Sequence, residues 1–289
     1  MTVTIKPLTP VFAGEVGPID LRQVHDRESL EAIRAGMDTY AVLVFRDQRF
    51  TNEEQLDFAQ RFDGTLHART SSSAIGANRF GNEAIADVSN VDKDGNIRDA
   101  SNRMRASAVG NRLWHTDASF VDPPGRYSML SARVVPPVRA DTEFADMRAA
   151  YDALDEETRA SLEGLREYHT IVYSRHVLGF DFNDDEKEKL KGAIHPLVRT
   201  IPTSGRRALY LASHAEHIVD MPVPEGRLLL RDLSDHATQR EFVYRHIWQP
   251  HDFVIWDNRC TMHRARPFDD QQHRREMRRT TTLDLPLPA

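Results

Sequence analysis

Residues 113–120 read LWHTDASF and set a histidine and an aspartate two positions apart behind an apolar Leu-Trp pair. In an extended chain, residues i and i+2 point to the same side. His115 and Asp117 are therefore expected to project together from a strand, as the two arms of a clamp. An imidazole and a carboxylate presented that way can share a metal ion; they can equally form an ordinary surface pair. The triplet alone carries little, because a chain with 13 histidines and 27 aspartates is expected to hold about one by chance. Its surroundings carry more. Leu113, Trp114 and Phe120 place it partly in the core, where an unpaired carboxylate is costly. A third arm is needed, and His263 stands a short turn after the apolar run HDFVIWDN, at the mouth of a strand. His214 and His217 are also available on paper, and periodicity does not choose among them.

The second candidate is an arginine cluster. HRARPFDDQQHRREMRR holds six arginines between Arg264 and Arg279. A solvated basic face or a phosphate-binding patch fits the local pattern poorly. Read as a strand, Arg275, Met277, Arg279 and Thr281 occupy one face, and Arg274, Glu276, Arg278 and Thr280 the other. Glu276 can neutralise its own face. The odd-numbered face has no acid, so its guanidinium groups are the ones expected to await an anionic ligand, most naturally a carboxylate.

The elements that position these residues read as strands with helices around them. Strands are expected over Thr39–Asp47, Arg126–Val135, Arg207–His214, Glu241–Trp248, His251–Asn258 and Arg274–Leu285. Helices are expected over Arg27–Tyr40, Thr51–Phe62 (with a Thr51/Glu54 capping-box pattern), Asp146–Leu165 and Glu225–Thr238. The absence of a regular βαβα alternation argues against a doubly wound parallel sheet. The expectation is a mainly β, α+β domain with a jelly-roll-like core of two sheets and peripheral helices. No repeat or linker divides it, so residues 1–289 read as one domain. Thr70–Asn90, Asn90–Val109 and Asp181–Lys191 read as loops, the first two placed to cover the clamp.

Composition bounds the function classes. A net charge of −6 gives no general attraction to nucleic acid or anionic membranes. A single cysteine, Cys260, allows no intrachain disulfide and suits a reducing compartment. Neither a secretory leader nor a membrane-length apolar run is visible, so a cytoplasmic protein is expected.

The order His-x-Asp, distant His, then Arg about a dozen residues on resembles the iron(II)/2-oxoglutarate-dependent dioxygenases of the taurine/2,4-D dioxygenase type. The likeness extends along nearly the whole chain, through LVFRDQ, IADVSN, LWHTDASF, RYSMLSARVVPP, DTEFADMRAAYDAL, PVPEGRLLL, HATQREFVYRH, WDNRCTMHR and RREMRRTTT. These stretches resemble the 2,4-dichlorophenoxyacetate branch in particular. The resemblance implies a double-stranded β-helix (jelly roll) and an Fe(II) triad of His115, Asp117 and His263. Two imidazoles and one carboxylate leave coordination positions open, as non-haem oxygenases require.

By the same resemblance, Thr142 and Arg275 hold the distal carboxylate of the co-substrate 2-oxoglutarate. Family spacing alone points to Arg274; matching RREMRRTT gives Arg275 with one extra loop residue. Loops absorb insertions, whereas a one-residue slip inverts a strand, so Arg275 is expected. Arg279 then matches the arginine that grips the acidic group of the primary substrate, with Asn111 and His214 as further substrate contacts. Ile201 is apolar where some relatives carry a pocket histidine. Trp256 is expected to pack near the cofactor, and Cys260 to be a small filler.

What the resemblance implies is O2-dependent hydroxylation of an aryloxyalkanoate such as 2,4-dichlorophenoxyacetate beside its ether oxygen. The products are a phenol and glyoxylate, together with succinate and CO2. No side chain beyond the metal ligands is required as an acid or base. A small acidic substrate and a homo-oligomer are expected, with no nucleic-acid or membrane partner. Two alternatives remain open: the same chemistry on a sulfonate such as taurine, and a non-enzymatic metal- or anion-binding jelly-roll module.

Overall fold

The computed structural model describes residues 3–10, 12–68, 75–76 and 79–285. Its main body is a seven-stranded sheet in the order Ile5–Pro7, Gly14–Val16, Val42–Phe45, Phe253–Asp257, Gly125–Val134, Glu276–Leu283 and Ala86–Asp87. Every pairing in it is antiparallel except that of Gly14–Val16 with Val42–Phe45. A smaller sheet of Val243–His246, Thr142–Asp146 and Thr261–Ala265 contributes to the same core. A third, of Ala215–Ile218, Arg166–His169 and Ala193–Pro196, completes the β framework with the ribbon Val198–Thr200/Arg207–Leu209.

The run VLVF is apolar at every position because its strand is buried on both faces. Val42 and Val44 face the core shared with the smaller sheet, alongside Leu130, Phe144, Val254, Trp256, Met262 and Met277. Leu43 and Phe45 face a second core. Two helices cover that outer face: Arg27–Tyr40 through Leu30, Ile33 and Met37, and Asn52–Asp63 through Phe58 and Phe62. The central strand Phe253–Asp257 alternates the same way, with Val254 and Trp256 inward and Phe253 and Ile255 outward. Burying each such side chain contributes roughly 2 kcal/mol. These two strands and two helices therefore form the rigid floor on which the site is built.

Helix boundaries follow capping chemistry. Arg27–Tyr40 begins at Asp26, whose carboxylate accepts from Ser29 N, and ends at Ala41 in the left-handed region (φ 56°). The Thr51/Glu54 capping box is present in both directions, with bonds of 3.1 and 2.7 Å.

Several expectations need correcting. The helix expected over Asp146–Leu165 is two short ones, Met147–Asp152 and Glu156–Ser161. Asp155 restarts the chain as an N-cap, accepting from Thr158 N at 2.7 Å. The stretch read as a loop at Asp181–Lys191 contains the helix Asp184–Lys189, begun by an Asn183/Glu186 capping box. Asn90–Val109 likewise ends in the helix Arg103–Ala108. Of Thr70–Asn90, residues 70–74 and 77–78 lie outside the described residues, and Ala86–Asp87 is an edge strand on the arginine strand. The helix near the C-terminal half runs Val223–Ala237. No helix among the described residues is long and apolar enough to cross a membrane.

Candidate active site

His115 and His263 come from distant parts of the chain and meet through their backbones. His115 N donates to His263 O at 3.0 Å, and His263 N to His115 O at 2.8 Å. His263 lies on the strand Thr261–Ala265. His115 forms only this isolated bridge, and Asp117 stands in the turn that follows. The clamp is thus not on a continuous strand, as the spacing alone suggested. Ala118, at φ 54°, turns the chain out of extended geometry, while Thr116 points the other way and donates to Leu211 O and Thr261 O.

The three side chains are buried, and one candidate ligand atom from each lies within 4.8 Å of the others. His115 Nε2 stands 3.8 Å from one Asp117 oxygen and His263 Nε2 3.7 Å from the other. These separations are too long for hydrogen bonds. They suit donors about 2 Å from one shared ion, which must lie within roughly 4 Å of each other. Protonation agrees. Burial pulls the His115 imidazole down to about 4 against the opposing pull of Asp117, and burial puts His263 well below its ordinary value. Burial alone would raise the Asp117 carboxyl, but the opposing influences, the charge of Arg279 first among them, outweigh it and bring it to about 2. Two neutral imidazoles and an ionised carboxylate are the forms that bind metal. His115 Nδ1 sits 2.8 Å from Leu113 O, which places its proton there and leaves Nε2 as the donor atom.

Residues that the sequence did not single out hold this centre. Ser128 Oγ donates to Asp117 Oδ2 at 2.8 Å, and Asn258 Nδ2 donates to Ser128 Oγ at 3.0 Å. Asn258 Oδ1 accepts from Asp117 N and Trp256 Nε1. Nothing in a run such as RYSML marks one serine as the support of a carboxylate eleven residues earlier. Trp256, expected to pack near the cofactor, packs beside His263, with ring centroids 4.7 Å apart. Cys260 is buried and packed, its thiol pushed well above its ordinary value by burial.

A cavity of about 180 Å³ opens beside the two histidines, lined also by Thr142, Arg275 and Arg279. The arginine strand has the register read from the sequence. Glu276 takes Arg274 and Arg278 on its own face, and Arg278 also reaches Asp87. Arg275 is buried, with no carboxylate in ion-pair range among the described residues and no hydrogen bond to its Nε. Burial alone pulls it down to about 10. A desolvated cation facing a cavity without a counter-ion is costly unless an anion arrives. Arg274, by contrast, is half-exposed and paired with Glu276.

Thr142 Oγ1 accepts from Trp248 Nε1 at 2.9 Å, which leaves the hydroxyl proton free to donate into the cavity. Removing either partner leaves a buried polar group unsatisfied, at about 1–2 kcal/mol. On the expectation that Thr142 holds the far carboxylate of 2-oxoglutarate, Thr142→Val, which removes that donor, and Trp248→Phe, which removes the bond that orients it, should each raise the KM for 2-oxoglutarate roughly tenfold. Steady-state kinetics at varied 2-oxoglutarate checks this, and an unchanged KM in both would remove Thr142 from the site.

The remaining expectations divide. Arg279 donates to Asp117 Oδ1 at 2.5 Å. It lines a smaller cavity with His115, Asp117, Asn111 and His214. His214 places its ring 5.8 Å from that of His115, and its Nδ1 2.9 Å from Ser174 Oγ. His217 lies instead on the strand Ala215–Ile218 against Tyr168, so it is no alternative third arm. Ile201, which follows the strand Val198–Thr200, belongs to the apolar core and does not line the cavity.

The profile described as the taurine catabolism dioxygenase TauD, TfdA family matches residues 4–281. The alpha-ketoglutarate-dependent 2,4-dichlorophenoxyacetate dioxygenase of Cupriavidus pinatubonensis is 46% identical over 98% of this chain and 99% of its own. The (S)-phenoxypropionate/alpha-ketoglutarate-dioxygenase of Sphingobium herbicidovorans is 37% identical over 93% of this chain and 91% of its own. Among solved structures, AAD-2 in complex with Mn(II) and N-oxalylglycine superposes with a TM-score of 0.94 at 46% identity, covering the whole of both chains.

Proposed function

The chain belongs to the TauD, TfdA family of dioxygenases, and from that premise we propose that it hydroxylates aryloxyalkanoates such as 2,4-dichlorophenoxyacetate at the carbon beside the ether oxygen. The hemiacetal so formed separates into a phenol and glyoxylate, while 2-oxoglutarate becomes succinate and CO2 and O2 is consumed. The observation that carries this reading is the buried Arg275, unpaired among the described residues, beside a compact His-Asp-His set. It is a site with a place for a metal and a separate place for an anion.

In this reading residues 1–289 form one cytoplasmic catalytic domain with a jelly-roll core. His115, Asp117 and His263 hold Fe(II), which when bound supplies the activation of O2 and the oxidative decarboxylation of the co-substrate. The other residues bind and orient. Arg275 and Thr142 fix the distal carboxylate of 2-oxoglutarate, so that its other end faces the histidines. Arg279, Asn111 and His214 receive the acid end of the primary substrate. Ile75, Met104, Val109 and Phe268 give the larger cavity an apolar side that suits an aromatic ring and excludes water from the reacting carbon. A taurine-sized sulfonate would satisfy the arginines but leave that wall uncovered.

A substrate panel tests the proposal. With Fe(II), 2-oxoglutarate and air, phenoxyacetates should give succinate and a phenol in equal amounts, with kcat/KM at least about 100-fold above that for taurine. Taurine-dependent succinate formation without any phenol from phenoxyacetates would contradict it.

A further inference from the structure

A further guanidinium lies buried beside His115 and Asp117. Arg175 sits near the end of the short helix Ile171–His176 and is 3% exposed. It lines both the larger cavity and the smaller one that holds His115, Asp117 and Arg279. Its Nη1 donates to Ser174 Oγ at 3.0 Å. Its Nε has no hydrogen-bond partner, and no carboxylate stands within ion-pair range of it among the described residues.

The seat for this side chain is built. A Cβ added at Gly110 would lie 2.2 Å from Arg175 Cζ and 2.4 Å from Nε and Nη1. The guanidinium therefore rests where any other residue would put its side chain. Ser174 anchors it from the far side, with its hydroxyl also bound to Ile171 O and 2.9 Å from His214 Nδ1.

Charge balance gives the seat a purpose. Arg98 pairs with Asp87, Arg105 and Arg112 with Asp270, and Arg266 with Glu143. Arg175, Arg275 and Arg279 then face the interior, and among the described residues Asp117, paired with Arg279, is the one carboxylate in ion-pair range of any of them. Arg275 accounts for one anionic group of a ligand. With Asp117 paired to Arg279, the positive charge of Arg175 is left uncompensated, which is a place for a second anion.

The geometry points to Arg175 as the second guanidinium of the substrate's acid subsite: together with Arg279 it holds the substrate carboxylate, and Gly110 is bare so that it can. This rests on the functional reading above and deepens it. It also separates duties, because Arg279 is already engaged with Asp117 while Arg175 keeps an N–H uncommitted.

The test is calorimetric binding to the anaerobic Fe(II)–2-oxoglutarate protein, comparing phenoxyacetate with the neutral phenoxyacetamide. Arg175→Gln should raise the Kd for phenoxyacetate roughly 30-fold or more. It should leave the amide, and 2-oxoglutarate itself, within about twofold, since neither meets this charge. Arg175→Lys should recover part of the loss. Gly110→Ala keeps the arginine but takes its seat, and should show the same acid-selective weakening. If Arg175→Gln does not fold, as judged by thermal unfolding, Gly110→Ala decides alone. Equal weakening for acid and amide, or none for either, overturns the inference and leaves the functional reading standing. A wild-type protein that binds phenoxyacetate no more tightly than the amide overturns the functional reading, and this inference with it.

Discussion

Asp117→Ala abolishes turnover and metal retention together. Asp117 is the one anionic donor in the triad, and its two oxygens face the two imidazoles at 3.8 and 3.7 Å. Without it two neutral histidines remain, and Arg279 loses the one carboxylate partner it has among the described residues and adds a positive charge beside them. Partners outside the ligand set are typically worth 10–100-fold in metal affinity or activity, so loss of a ligand should cost on the order of 10³-fold or more. Equilibrium dialysis against Fe(II) and succinate release measure the two losses. Ser128→Ala, which removes the 2.8 Å bond to Asp117, should fall in the smaller range of about 10–100-fold. A variant at Asp117 that keeps wild-type metal binding would show that the ion sits elsewhere.

Arg275→Ala raises the KM for 2-oxoglutarate about 100-fold or more, whereas Arg274→Ala leaves it within about twofold. Truncating a buried charge that pairs with a ligand costs roughly 2–5 kcal/mol; a half-exposed surface pair is worth 0–1 kcal/mol. The ligand-free protein supplies a second readout. Arg275 has no counter-ion among the described residues, so its removal relieves a buried charge, and the Tm of the ligand-free variant should not fall. The rise in Tm that 2-oxoglutarate gives the wild type should disappear. The reverse ranking of the two arginines would mean that the opposite face of the strand carries the co-substrate.

The choice between those arginines shows what a sequence can disclose. Alternation along RREMRRTTT, with one acid on one face only, was enough to place Arg274, Glu276 and Arg278 together and Arg275 and Arg279 inward, because a strand has a period of two and little freedom. The helix Arg27–Tyr40 and the Thr51 capping box were legible for a similar reason: both are local. His115 and Asp117 were legible as residues but not as backbone, since the left-handed Ala118 that ends the extended segment carries no glycine or asparagine signal. Ser128, Asn258, Trp248 and Arg175 were not legible at all. Each acts through a partner far along the chain or on another element, as Trp248 does on Thr142. An isolated polar residue in a strand or short helix looks the same whether or not such a partner exists. The break between Met147–Asp152 and Glu156–Ser161 was missed because Asp155 suits a helix interior poorly but an N-cap well, and hydrophobic spacing does not weigh that preference.

The central claim is that three side chains from two remote segments hold one ferrous ion next to a separately anchored 2-oxoglutarate. A crystal structure grown without oxygen in the presence of Fe(II) and 2-oxoglutarate tests it most directly. The account predicts a single metal ligated by His115 Nε2, Asp117 and His263 Nε2, with the far carboxylate of 2-oxoglutarate on Arg275 and Thr142. Iron bound at any other set of residues, or a 2-oxoglutarate carboxylate resting on Arg274, would contradict it.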